Sequence, residues 1–305
     1  MDPPVRGINA PPCGAVGRLH IAAMASPPRP GGPVHLADRF APLDTELIAL
    51  LRGLRPDDWA RPTACALWTV KDIAAHLLDG NLRRLSFQRD GLPAEPDVPI
   101  HGFADLVKYL DRLNAEWVAA ARRISPPLLI DLLEHTGRQA AELFARLDPD
   151  APALFPVAWA GEAQSVNWFD VGREYTERWL HQQQIRDAVG APGLSSREWL
   201  HPVLDLFLRA LPHRYRDVAA EPGTELHVAI AGAAGGDWTL RREPAEWRLY
   251  LGASQTPAAT VRMDQDTAWR LFSKGLDPAE ARERVTLEGA QPLGAGVLGT
   301  LAVMA

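Results

Sequence analysis

The chain has 305 residues, of which 47% are hydrophobic and 23% charged, and this composition describes a globular protein long enough for two domains of ordinary size. Its 32 basic and 38 acidic residues leave a net charge of −6, which argues against a nucleic-acid surface or a polybasic membrane patch. Two cysteines, Cys13 and Cys65, cannot make a disulfide framework, and a reducing cytoplasm is the expected location.

Residues 1–36 are rich in Pro, Gly and Ala and are expected to form a disordered tail. The apolar run Leu19–Ala25 ends at Pro27-Pro28, too soon for a secretory signal, and Met24 offers an alternative start. No run reaches eighteen apolar residues, so no membrane-spanning helix is expected.

From about residue 39, Phe40, Leu43, Leu47, Ile48, Leu51 and Leu54 recur at helical spacing until the Arg55-Pro56 breaker. A second helix opens with the capping-box pattern Thr69-x-x-Asp72. It carries the apolar stripe Val70, Ile73, Ala74, Leu77, Leu78, Leu82 and Leu85, with His76 beside it, and stops near Gly91. Helical periodicity returns from Phe103 to about Ile124. Ser125-Pro126-Pro127 then starts a helix to Leu147, and residues 148–166 read as loop.

A long helix is expected from Trp168 to Val189, ended by Gly190-Ala191-Pro192-Gly193. At about 100° per residue, Asp170, Glu174, Glu177, His181 and Gln184 share a stripe roughly 80° wide. Phe169 and Leu180 border it on one side, Val171 and Ile185 on the other, as for a polar site facing into a helical bundle.

Beyond Gly193 the sequence predicts one helix from Ser196 to Leu211. Strands follow at Glu225–Ala231, Trp238–Arg242, Glu246–Leu251 and Ala258–Met263, the first two joined by an antiparallel turn at Ala231–Gly236. Helices at Asp266–Phe272 and Pro278–Arg284, a strand at Val285–Leu287 and a closing helix through Leu298 and Val303 complete the reading. The fold class is an α-helical bundle over residues 37–193 followed by a smaller α+β domain over 194–305.

Glu177 and His181, spaced i,i+4, project from one helix face, and His76 on a facing helix would supply a third direction toward one divalent ion. Three protein ligands leave a position open, which is the mark of a catalytic rather than a structural site. On spacing alone the first reading is different: Glu177 and His181 as a helical side-chain pair and His76 as a structural residue. Two imidazoles and a carboxylate suit zinc, iron, nickel, cobalt or manganese, and zinc is expected on availability. Arg83, two turns after His76 and within about 20° of its direction, is a candidate contact for a substrate anion, or else a surface ion-pair residue; Arg84 points elsewhere. Glu174 is read either as a group supporting the site or as the partner of Arg178. Trp68 reads as a packing anchor and Cys65 as an inert thiol.

The segments Trp68-Thr69-Val70-Lys71-Asp72-Ile73-Ala74-Ala75-His76-Leu77 and Glu174-Tyr175-Thr176-Glu177-Arg178-Trp179-Leu180-His181-Gln182-Gln183-Gln184-Ile185-Arg186 resemble the mycothiol-dependent maleylpyruvate isomerase family, a group of DinB-like metal-binding four-helix bundles. Val285-Thr286-Leu287-Glu288-Gly289 is similar to that family's sterol-carrier-like C-terminal domain, and Cys65-Ala66-Leu67 stands where relatives often carry a Pro-Gly step. The resemblance implies His76, Glu177 and His181 as metal ligands. It also implies mycothiol or a related thiol as cosubstrate, activated for S-transfer to a small electrophile or for its isomerisation. The alternative is a non-catalytic metal- or ligand-binding module with a structural or vestigial metal. Small-molecule partners and a monomer or homodimer are expected, with neither nucleic acid nor membrane.

Overall fold

The computed structural model describes residues 27–303 together with Met1. Most of the expected tail, with Cys13, the run Leu19–Ala25 and Met24, lies outside the described residues. Positions 27–36 are described, and they differ from a tail. Arg29–Pro30 form an edge strand, β1, paired with Leu251 and Tyr250, and Leu36 is buried. A proline is tolerated there because an edge strand leaves one side of its backbone without ladder partners.

The N-terminal part is helical: α1 (Phe40–Arg52), α2 (Val70–Arg83), α3 (Phe103–Ala121), α4 (Pro126–Arg146) and α5 (Asn167–Val189). The capping box at the start of α2 forms as the sequence predicts. Thr69 Oγ1 accepts from the Asp72 backbone N–H at 3.3 Å, and Asp72 Oδ2 accepts from the Thr69 backbone N–H at 3.0 Å. Helix α2 packs against α3, α4 and α5, while α1 packs against α4 and α5. Beyond Arg83 the α2 ladder widens into a π-helical turn over Arg84–Arg89, a feature that side-chain periodicity does not reveal.

The C-terminal part is a mixed sheet with helices. The expected helix from Ser196 to Leu211 ends at Leu208 as α6 (Arg197–Leu208), and a separate short helix, α7 (Leu211–Arg214), follows it with Pro212 in its first turn, where the missing N–H has no intrahelical partner to lose. Strands β2 (Glu225–Ala231), β3 (Gly236–Arg242), β4 (Trp247–Leu251), β5 (Ala259–Asp264) and β6 (Thr286–Gly289) join β1 in the order β1-β4-β3-β2-β5-β6. Only the β2–β5 pair is parallel. The turn between β2 and β3 depends on Gly235, where a Cβ would lie 2.0 Å from the Ile230 carbonyl oxygen. Helices α8 (Gln265–Phe272) and α9 (Pro278–Arg284) match expectation. The closing helix is only α10 (Gln291–Ala295) with a 3-10 turn at Gly296–Gly299; it stops well before Val303, since Gly294, Gly296 and Gly299 disfavour a longer helix.

Two groups of buried apolar side chains hold the molecule together. One lies inside the helical part, where Leu47, Leu51, Ile73, Leu77 and Leu133 meet Ile185 of α5. The other runs from Phe40, Phe144 and Trp179 of the helical part through Phe207 of α6 to Val228 and Trp269 at the sheet. Helix α5 contributes to both. Among the described residues, no helix is long and apolar enough to cross a membrane.

Candidate metal centre

His76 comes from the middle of α2, and Glu177 and His181 from successive turns of α5, two helices that pack on each other. Each of the three offers a ligand atom, and these atoms lie within 4.8 Å of one another. The two imidazole rings meet at 76° with centroids 4.7 Å apart, and His181 Nε2 stands 3.4 Å from Glu177 Oε2. His76 Nδ1 is buried and has no hydrogen-bond partner. Leaving such an atom unpaired costs about 1–3 kcal/mol, and a cation accepting its lone pair would remove that cost.

The electrostatics of the two histidines diverge. Burial, followed by the charges of His181 and Arg83, depresses the His76 pKa well below that of a free imidazole, so His76 is neutral at pH 7 and able to donate a lone pair. Burial pulls His181 downward as well, but its contacts with Cys65 and Glu177 outweigh burial and push it up to about 10. Nitrogen and carboxylate donors in this proportion fit the borderline divalent cations, zinc among them.

The polar stripe of α5 does face inward, and its upper half is an ion-pair network. Arg84, 2% exposed, grips Asp170 with two hydrogen bonds of 2.6 and 2.7 Å and reaches Glu174 at 3.1 Å. Arg173 donates to Asp170 and Glu174, each at 2.9 Å. Glu174 therefore pairs with Arg84 and Arg173, not with Arg178, whose guanidinium lies 3.4 Å from Asp44. The expected pairing had assumed the nearest position one turn on, whereas Arg84 of the neighbouring helix lies closer. Burial opposes ionisation of Glu174, yet Arg84, Arg173 and Arg178 together hold its carboxyl well below the usual range. Arg83 is partly exposed and bonded to Asp79 at 3.0 Å, and its charge acts on His76.

Three further residues adjoin the centre, and the sequence assigned none of them a role in it. Trp68 lies against both imidazoles, its ring 4.9 Å from His76 and 6.2 Å from His181. Gln184 Oε1 lies 2.8 Å from His181 Nδ1, and Cys65 Sγ donates to the same oxygen at 3.3 Å. Gln184 is the one of the three that the sequence places in the polar stripe, one turn beyond His181. Trp68 and Cys65 reach the site through the fold of the segment before α2, which no periodicity encodes.

Residues 40–186 match the family model described as the mycothiol maleylpyruvate isomerase N-terminal domain. Two proteins of Mycobacterium tuberculosis, Uncharacterized protein Rv0036c of strain H37Rv and Uncharacterized protein MT0041 of strain CDC 1551 / Oshkosh, are each 30% identical over 228 residues. The alignments span 70% of this chain and 79% of each relative. The crystal structures of the mycothiol-dependent maleylpyruvate isomerase and of a mutant of it superpose with a TM-score of 0.49 at 14% identity, over 84% of this chain and 93% of theirs.

Proposed function

Because the chain belongs to the mycothiol maleylpyruvate isomerase family, we propose that it is a divalent-metal-dependent enzyme that uses mycothiol or a closely related thiol to isomerise a small electrophile, or to transfer sulfur to it. The observation that carries this reading is the meeting of His76, Glu177 and His181, together with a His76 Nδ1 atom that is buried and unpaired.

A cation held there, zinc by preference, would act as a Lewis acid that lowers the pKa of a thiol. The chain's own part is to hold, orient and exclude. His76 and His181 fix two directions and Glu177 a third, Trp68 walls the imidazoles on one side, and Arg83 offers a positive charge to an anionic substrate such as maleylpyruvate. Thiol addition to the enone followed by rotation and thiol loss gives isomerisation, and retention of the new carbon–sulfur bond gives S-transfer. In this reading residues 37–193 are a DinB-like four-helix bundle and residues 194–305 a sterol-carrier-like domain. The protein works in the cytoplasm as a monomer or homodimer.

A second reading draws on Cys65, whose thiol donates to Gln184 at the edge of the centre and would have to move in to join the three converging ligand atoms. A fourth protein ligand would close the coordination sphere and make the metal structural, in a non-catalytic module. The deciding experiment incubates the zinc-loaded full chain with mycothiol and maleylpyruvate. Isomerisation that needs both thiol and metal supports the enzyme. Absence of any thiol-dependent turnover, with collapse of the fold on chelation, supports the structural site.

A further inference from the structure

Gln184 is 7% exposed, and its carboxamide oxygen is the meeting point of two hydrogen bonds, from His181 Nδ1 at 2.8 Å and from Cys65 Sγ at 3.3 Å. An amide oxygen has lone pairs and no proton, so a group bonded to it must donate. The carboxamide is oriented with its oxygen toward both Cys65 and His181, so the thiol and the ring nitrogen are the donors in this arrangement. His181 therefore carries a proton on Nδ1. That leaves Nε2, the ring nitrogen 3.4 Å from Glu177 Oε2, as the atom that would give a lone pair once a cation replaces the proton it shares with Glu177.

We propose that Gln184 is a positioning residue of the metal centre: its carboxamide oxygen fixes the His181 tautomer and ring plane so that Nε2 is presented beside Glu177 and His76. The inference rests on the metal reading of those three residues. Partners of this kind orient metal-binding imidazoles and raise their basicity, and their loss typically costs about 10–100-fold in metal affinity. Helix geometry makes the arrangement economical, because a residue at i+3 lies over the same face as His181 and needs no second element to reach it.

The test is Co2+ titration of the metal-free full chain by visible absorption, in a Cys65→Ala background that removes sulfur as a competing ligand. Gln184→Glu keeps an acceptor for Nδ1–H and is expected to bind Co2+ within a few-fold of its parent. Gln184→Leu and Gln184→Met fill the same space without a carboxamide and are expected to bind about 10–100-fold more weakly. Circular dichroism and thermal midpoints of the metal-free variants, run in parallel, separate lost affinity from lost fold. Parental affinity in both apolar variants overturns the proposal, as does an equal loss in the Glu and Leu variants, which would signal packing and not hydrogen bonding. Failure of the parent itself to bind Co2+ overturns the metal reading instead.

Discussion

His76 and His181 sit edge to face, ring centroids 4.7 Å apart, although they belong to α2 and α5, which are separated in the chain by two other helices. Two imidazolium ions at that separation would repel each other, and the structure resolves the conflict by environment. The His76 Nδ1 atom is buried without a hydrogen-bond partner, while His181 has Glu177. One neutral ring and one ring sharing its proton with a carboxylate form a pair in which a divalent cation can replace that proton.

His76→Ala and His181→Ala are each expected to abolish stoichiometric metal in the purified protein, measured by elemental analysis, with little change in helical circular dichroism. The helices owe their stability to the apolar groups on either side of the centre, not to the imidazoles.

Arg84→Met removes the only charge, among the described residues, that bonds both Asp170 and Glu174 from outside α5. Asp170 is 1% exposed, and breaking a buried pair by removing one partner costs about 3–5 kcal/mol, softened here by Arg173. The exposed pair Arg52–Glu134 is the control, and Arg52→Met is expected to cost about 1 kcal/mol or less. Urea unfolding measures both, and equal losses would refute the ranking.

Acid should loosen the same network. The pKa of Glu174 is depressed on folding from a reference value of 4.5, so its contribution to stability is complete above that value and is lost as pH falls through the lower folded-state value. The urea midpoint is expected to drop as pH goes below about 4.5, and to drop less steeply in Glu174→Gln. A parallel decline in the two proteins would assign the acid sensitivity to other carboxylates.

Arg83→Met is expected to raise KM for an anionic electrophile by about tenfold with metal content unchanged, because Arg83 reaches the surroundings of His76 without bonding to any proposed ligand. A neutral electrophile run beside it should be unaffected. Equal effects on both substrates would reduce Arg83 to the ion-pair partner of Asp79.

What could be read from the sequence depended on how local the cause was. Thr69 and Asp72 cap α2 through contacts within one turn, and Glu177 and His181 share a face by helix geometry, so both were legible. Break points were partly so: Gly190 ends α5 as expected, whereas α6 stops at Leu208, short of the Leu211 to which apolar spacing extends it. Arg84 was passed over because angular reasoning treats α2 as uniform and asks only which residues align with His76. Its partners lie on another helix, and which of two adjacent arginines meets them is decided by packing, next to a π-turn. Cys65 and Trp68 belong to the same class, since an irregular segment delivers them to the site.

Helix α5 presents Glu177 and His181 on one face, while its other faces are built into the sheet-bearing half. Trp179 stacks at right angles on Trp269 and donates to the Leu194 carbonyl, Tyr175 donates to that of Trp199, and Asp187 pairs with Arg270. A gene fragment ending at Gly193 would strip cover from the rod that carries two of the three proposed ligands, and it should emerge as an aggregating polypeptide, not as a minimal metal-binding domain. Any molecule that tightens or loosens the C-terminal half is, by the same connection, pulling on the frame in which the imidazole and carboxylate are mounted.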